Sequence, residues 1–337
     1  MGKLRVGVIG LGTFGRVHMQ AYSGHPDVRL AAICDLDEKR VQEIGEEYGV
    51  TACFCDYKDL LGLPELDAVS IVTPDFTHTE IVIEAVRRGK GVLVEKPLAT
   101  SLEDCERIGE ALCARPVPFM VDFHNRWNPG VVRTKEAVES GELGAIEMIY
   151  HRLSDTLFVP TEMLSWAGRS NVNWFLGSHC LDTLRWLLAD EVVRVYTVSE
   201  SRVLRRMGID TPDYYLSVAD FSRGTRAVIE NCWILPDSSP SIVDYKLEVI
   251  GEKGAVYFDP TPQRLVKLTQ GISCPDTYGA LKVHGRHVGF AIESIRHFVD
   301  CALAGRPPMV GFEDGRAATK AVLAMLESAR TGMPVNL

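Results

Sequence analysis

Leu4-Arg5-Val6-Gly7-Val8-Ile9-Gly10-Leu11-Gly12-Thr13-Phe14-Gly15 is the stretch whose reading decides the fold. Residues 4–9 alternate apolar and small side chains, a glycine run follows, and a helical pattern continues to about Tyr22. In a strand–turn–helix of this kind each glycine has its own task. Gly10 permits the tight bend, Gly12 lets backbone approach a pyrophosphate, and Gly15 lets helix and strand pack closely. Thr13 and Phe14 lie between them at the helix start, so Gly10, Gly12, Thr13, Phe14 and Gly15 are the candidate phosphate-side contacts. The pattern gains weight from a second strand, Val28 to Cys34, that ends in Asp35, 20 residues past Gly15 and well placed for a ribose 2′-hydroxyl.

Asp35 also bears on the choice of dinucleotide. A carboxylate there repels a 2′-phosphate, and Asp37 adds a second negative charge, so NAD is expected over NADP. Arg40, early in the next helix, is either a phosphate contact that tempers this preference or a solvated helix arginine.

Composition narrows the remaining classes. The chain has 337 residues, 46% hydrophobic and 24% charged, enough for two domains with cores of their own. A net charge of −9 without a basic cluster argues against nucleic acid or an anionic membrane as partner. No run reaches membrane-spanning length and the first apolar run is too short for a signal peptide, so a cytoplasmic protein acting on a small molecule is expected. The nine cysteines are odd in number and contain no CxxC pair, which points away from zinc and disulfides and toward buried small hydrophobes; no metal is expected.

Beyond Asp35 the strand–helix alternation repeats. Asp67 to Thr73 reads as a strand, Pro74 to His78 as a turn, and Thr79 to Arg88 as a helix. Gly91-Val92-Leu93-Val94-Glu95-Lys96-Pro97-Leu98 is a buried strand ending in a charged pair and a proline. Lys96 therefore stands at the carboxyl end of a strand, where open α/β sheets bind ligands. A helix from Ser101 to Cys113 and a strand from Val117 to Val121 follow. Alternation over this length predicts parallel strands covered on both faces, a doubly wound Rossmann domain over residues 1–123.

Residues 124–337 are expected to form an α+β domain with a large open, mainly antiparallel sheet. After a helix near Pro129 to Ser140, a strand Ile146 to Leu153 leads into an irregular stretch, Ser154 to Val172. Five further strands lie between Val192 and Phe258, separated in several places by glycine turns, and two helices, about His287 to Leu303 and Glu313 to Arg330, close the chain. A sheet of this kind can bury one face under helices and the other against a partner subunit.

These residues resemble the Gfo/Idh/MocA family of glucose-fructose oxidoreductases, inositol dehydrogenases and related sugar dehydrogenases. The likeness rests on the Gly10–Gly15 turn with His18, Thr73-Pro74-Asp75-Phe76-Thr77-His78, Val94-Glu95-Lys96-Pro97-Leu98, Asn125-Arg126-Trp127-Asn128-Pro129, Gly177-Ser178-His179-Cys180-Leu181-Asp182, and a tail running from Glu313-Asp314-Gly315 to Gly332. It implies NAD(P) chemistry on a sugar, inositol or related polyol, with Lys96 beside the nicotinamide, a commonly cis proline after it, and a homodimer or homotetramer formed through the sheet of the second domain. It places Thr73, Pro74, His78, Glu95 and Lys96 near the cofactor, and Asn125 and Arg126 among the substrate contacts. Trp166 and Arg169 then lie near the nicotinamide or substrate; read without the likeness, they belong equally to a surface loop pinned by a tryptophan.

The chain departs from the family pattern twice, with Asp75 where Asn is usual and Phe175 where inositol-type members carry Asp four residues before the histidine. Asn173 could supply a polar substrate contact in its place. His179 and Asp182 are three apart, so on a helix they share a face and the carboxylate can orient the imidazole. Oxidising a secondary alcohol needs a hydride acceptor and a group that takes the hydroxyl proton. His179 is expected as acid/base, Lys96 as electrostatic stabiliser sharing the proton, Asp182 as orienter and Glu95 as the residue that positions Lys96. The alternative is a non-catalytic NAD(P)-binding sensor or scaffold, for which Phe175 is the best support.

Overall fold

A computed structural model describes residues 2–261, 265–268, 272–274 and 276–337. The chain forms two compact units, one made of the residues up to Trp127 together with Tyr278–Arg316, the other of Asn128–Thr277 and Ala317–Leu337. The sequence reading, which divides the chain once at 123/124, does not anticipate that 278–316 returns to the first unit.

In the first unit, β1 (Leu4–Ile9), β2 (Val28–Cys34), β3 (Cys53–Phe54), β4 (Ala68–Ile71), β5 (Gly91–Glu95) and β6 (Phe119–Asp122) form a parallel sheet in the order β3-β2-β1-β4-β5-β6. Every residue of β4, β5 and β6 is buried, as expected for strands covered on both faces. The helices are α1 (Thr13–Ser23), α2 (Glu38–Tyr48), α3 (Tyr57–Leu61), α4 (His78–Arg87) and α5 (Leu102–Ala114). Local chemistry starts several of them: Asp37, Asp56 and Ser101 each accept a first-turn backbone N–H, at the heads of α2, α3 and α5. The strand order reverses between β1 and β4, so the crevice at their carboxyl ends, between the Gly10 and Thr73 turns, is where a doubly wound sheet takes its ligand. Segment 53–61 has no counterpart in the sequence reading, because a two-residue strand and a one-turn helix carry no measurable period.

In the second unit, α6 (Pro129–Glu139) starts on an Asn128 cap with Pro129 in its first turn. β7 (Ile146–Asp155) follows, then a π-helical turn Val159–Met163, a 3₁₀ turn Ala167–Arg169 and a second π-helical turn Asn173–Gly177 that runs directly into α7 (Ser178–Leu188). The stretch 154–172, irregular in the sequence reading, is thus largely short helical turns. Next come β8 (Val192–Glu200), the single turn α8 (Val203–Arg206), β9 (Tyr214–Phe221), β10 (Arg226–Cys232), β11 (Val243–Gly251) and β12 (Ala255–Phe258). The strand pair β13 (Lys267–Leu268) and β14 (Ile272–Ser273) follows; the pair β15 (Leu281–Val283) and β16 (Arg286–Val288) and the helix α9 (Phe290–Ala304) belong to the first unit, and α10 (Phe312–Thr331) and β17 (Val335–Asn336) close the chain. The β15/β16 hairpin occupies the start of what the sequence suggests as a helix from His287.

The seven-stranded sheet of this unit runs β12-β11-β7-β10-β9-β8-β17. It is mostly antiparallel, with β7 and β10 parallel. Burial alternates along β9 and β10. One face packs into a core that includes Ile149, Leu181, Leu184, Ala219, Ile229, Trp233 and Leu247, while Met148, Tyr196, Val198, Leu216, Val218 and Val228 remain exposed. Of the cysteines, Cys34, Cys105, Cys180 and Cys301 are buried, Cys232 and Cys274 are intermediate, and Cys53, Cys55 and Cys113 are exposed, so the expectation that most are buried is not met. Among the described residues no helix is long and apolar enough to cross a membrane.

Candidate functional site

The glycine turn is built as a close-packed corner. Gly10 has φ +95°, and a Cβ there would come 2.2 Å from the Val72 carbonyl oxygen; a Cβ on Gly15 would lie 2.1 Å from the Gly10 carbonyl oxygen. Neither clash can be relieved by moving a side chain. A Cβ on Gly12 meets nothing within 4 Å, so internal packing does not require glycine there, whereas close approach by another molecule does. No side chain caps α1 at Gly12. Its first-turn amides therefore face outward beside Thr13, the arrangement that suits a pyrophosphate. The Phe14 ring is turned inward and stacks on His124 with centroids 5.8 Å apart, leaving the backbone of Phe14 as its contribution to this turn.

Asp35 is fixed at the tip of β2. Its Oδ2 accepts the Leu11 N–H at 2.7 Å, and its Oδ1 accepts the Asp37 N–H at 3.0 Å. Arg40 reaches back to it at 3.3 Å and to Asp37 at 3.4 Å. The guanidinium is thus held by the two carboxylates. The residues present suit an NAD adenosine ribose: a placed acceptor, with the nearest cation already engaged.

The turn after β4 is held from within. Thr77 Oγ donates to Thr73 Oγ at 2.8 Å and lies 2.6 Å from the Pro74 carbonyl. The His78 ring stands 2.8 Å from the Pro97 carbonyl and 2.9 Å from the Thr73 carbonyl. It therefore ties the 73–78 turn to the Lys96–Pro97 turn, whose peptide bond is cis as the resemblance implies. Burial keeps its imidazole below the usual histidine range despite those carbonyls. Asp75, where the family usually has Asn, is buried and accepts the Phe76 N–H at 2.7 Å.

Lys96 is 9% exposed and Glu95 6%. Behind them lies a buried polar cluster that the sequence reading did not assemble. His18 Nε2 is 3.1 Å from Glu95 Oε1 and 3.7 Å from Asp122 Oδ2. His18 Nδ1 meets Ser70 Oγ at 2.9 Å, and Ser70 in turn meets the Tyr22 hydroxyl at 2.5 Å. Ser294 donates to Asp122 Oδ1 at 2.6 Å. Burial alone raises the Glu95 carboxyl, but the His18 hydrogen bond and nearby positive charge outweigh it and bring it to about 2. Asp122 is driven the other way, well above the usual carboxylate range, by burial and by the Glu95 charge. His124, buried, is lowered to about 4. The sequence reading ends its strand at Val121; the observed strand runs one residue further, and that residue is the carboxylate opposite Glu95. Asn125 and Arg126 follow in a 3₁₀ turn, both buried. Arg126 pairs with Asp314 at 2.7 Å, which gives it a structural task within this unit.

In the second unit, His179 and Asp182 sit in the first half of α7, one turn apart on the same face, 5% and 0% exposed. Phe175 packs between Trp166 and Trp233, with centroids 6.4 and 5.8 Å away. Where inositol-type relatives carry a carboxylate, this chain has the middle ring of an aromatic stack. Arg169 is exposed. Asn173 is fully buried at the start of the π turn, its side-chain amide nitrogen and oxygen without a hydrogen-bond partner among the described residues. A Cβ on Gly177 would meet the side-chain Oδ1 atoms of Asn173 and Asn231 at 2.9 and 3.0 Å. Asn231 donates to the Leu153 carbonyl at 2.9 Å and to Cys180 Sγ at 3.4 Å, pinning α7 to the sheet. His151, fully buried against Tyr245 (5.1 Å) and the backbone of Cys180, makes no well-formed hydrogen bond, and burial lowers it to about 3. The sequence reading places His151 and Asn231 on strands; nothing in one strand's pattern says which residues meet across the packed core.

Comparison with known proteins adds the following. Residues 4–123 match the model of an oxidoreductase family with an NAD-binding Rossmann fold, and residues 131–257 match the GFO/IDH/MocA C-terminal domain. The chain is 29% identical to myo-inositol 2-dehydrogenase of Thermotoga maritima over 94% of its own length and 93% of that protein. It is 28% identical to scyllo-inositol 2-dehydrogenase (NAD(+)) of Bacillus subtilis over 99% and 96%. In fold it is similar to the crystal structure of myo-inositol 2-dehydrogenase from Lactobacillus plantarum, with TM-score 0.88, 24% identity and 99% of both chains covered.

Proposed function

The chain belongs to the Gfo/Idh/MocA family of NAD-binding oxidoreductases, and from that premise we propose that it moves a hydride between NAD and a secondary alcohol or ketone carbon of an inositol or related polyol. The observation that carries this reading is Lys96, a buried lysine at the carboxyl end of β5 backed by the ionised Glu95, in a chain whose full-length relatives are inositol dehydrogenases. NAD supplies the hydride acceptor. The Gly10–Gly15 turn and Asp35 hold its phosphate and ribose ends. The resemblance assigns the proton of the reacting hydroxyl to His179, with Lys96 as the cation that steadies negative charge on that oxygen. Asp182 orients the imidazole, and Glu95 holds Lys96.

Phe175 makes the wall ahead of α7 aromatic, so the substrate is expected to differ from those of the inositol-type relatives in the hydroxyl pattern it presents there. The exposed apolar sheet face supports self-association through a second copy of this chain.

The test is a screen of the purified protein with NAD+ and a panel of inositols, aldoses and sugar acids, read as NADH absorbance. With the best substrate, Lys96→Ala and His179→Ala should each lower turnover about a hundredfold or more. Losses within about threefold in both would remove them from the chemistry. Tight NAD binding with no turnover on any compound would favour the sensor reading instead.

A further inference from the structure

Glu95 and Asp122 are the last residues of adjacent parallel strands and lie directly opposite each other in register. Registered residues of parallel strands project to the same face, so both carboxyls are directed into one place. That place is closed by α1 and α9. His18 comes from α1 and Ser294 from α9, and neither they nor Asp122 are more than 1% exposed. A ring nitrogen of His18 and one oxygen from each carboxyl lie within 4.8 Å of one another. Two buried carboxyls this close disfavour double ionisation, which favours one proton shared between them.

The donors around the pair decide where it sits. Glu95 faces the His18 ring at 3.1 Å and the Lys96 backbone N–H at 3.3 Å, and feels the charge of Lys96. Asp122 receives the Ser294 hydroxyl. Glu95 has the stronger claim to the negative charge, and Asp122 is left to hold the proton and donate it. Resting on the role given to Lys96 above, we propose that Asp122 is a positioning residue that shares one proton with Glu95, so that the pair behind Lys96 presents a single negative charge. One carboxylate for one lysine keeps the cation held without over-stabilising it, and a second charge at Asp122 would make Lys96 a poorer proton donor. The groups facing the pair are His18 and Tyr22 from α1, Ser70 from β4, Lys96, His124 and Ser294.

The same three ligand atoms are of types that bind a divalent cation. A cation held there would ionise both carboxyls, so the two arrangements differ in a proton that can be observed. The experiment is infrared spectroscopy of the full chain without substrate, in water and in deuterium oxide. Wild type at neutral pH should show the C=O stretch of a protonated carboxylic acid, shifted by deuterium and absent from Asp122→Asn. In Glu95→Gln the facing charge is gone, and the band should weaken or vanish at neutral pH as Asp122 ionises beside Lys96. A wild type without that band, or an Asp122→Asn spectrum that keeps it, overturns the proposal, as does a Glu95→Gln protein whose band is unchanged. Because no turnover is involved, failure here is separable from failure of the catalytic reading, which Lys96→Ala tests alone.

Discussion

Asp35 shows how a single carboxylate is made specific before any ligand arrives. Two backbone N–H groups and one guanidinium fix its orientation, so its preference between dinucleotides is built into the loop. Replacing Asp35 with Ser removes the repulsion toward a 2′-phosphate and loosens Arg40, which then keeps only Asp37. The ratio of NADP to NAD dissociation constants, measured by fluorescence titration, should fall by about tenfold or more, corresponding to ~1.4 kcal/mol. Equal affinity of the wild type for both cofactors would remove Asp35 from that role. Its position was legible because the spacing from the glycine turn is local; its hydrogen bonds to Leu11 and Arg40 were not, since they depend on how β1, β2 and α2 are brought together.

At the scale of elements, β7 and α7 are joined by a buried polar layer containing His151, Asn231 and Cys180. In the unfolded chain His151 takes up a proton near its ordinary value of about 6.5, whereas the folded protein resists protonation until about 3. Acid therefore favours unfolding. The stability this histidine confers is fully present above about pH 6.5 and is lost as pH falls from there toward 3. His124, lowered to about 4 in the first unit, acts in the same direction. Denaturant unfolding at pH 8 and pH 4.5 should show a loss on the order of a few kcal/mol, and His151→Gln should flatten it. A His151→Gln protein with the wild-type slope would mean that the buried ring is protonated or solvated. The sequence placed residue 151 on a strand, but its neighbours come from α7 and β11, which only the packed sheet places against it.

For the whole molecule, the exposed face of the second sheet is an apolar surface. Tyr196 pairs with Val218 and Val218 with Val228 across three adjacent strands, and Val198 pairs with Leu216 beside them. All five are about 40% exposed. A continuous apolar row of this kind suits a second copy of the chain. Sedimentation at micromolar concentration should give a dimer or larger species, and Val218→Lys should shift it toward monomer with unchanged circular dichroism. A monomeric wild type would end that reading.

The sequence by itself determined the strand–glycine–helix entry, the parallel order that follows from strand–helix alternation, the second sheet from its period of two, and the identity of Lys96, His179 and Asp35 as residues to ask about. Those signals are local: a tight turn, a helical or extended period, a cap or a fixed spacing is written within a few residues of where it acts. Tertiary structure alone decided that residues 278–316 rejoin the first unit, that Arg126 meets Asp314 across 188 positions, and that Asp122 faces Glu95 with Ser294 172 positions away. Strand register and helix docking set those meetings, and the burial they create turns an ordinary aspartate into one that keeps its proton.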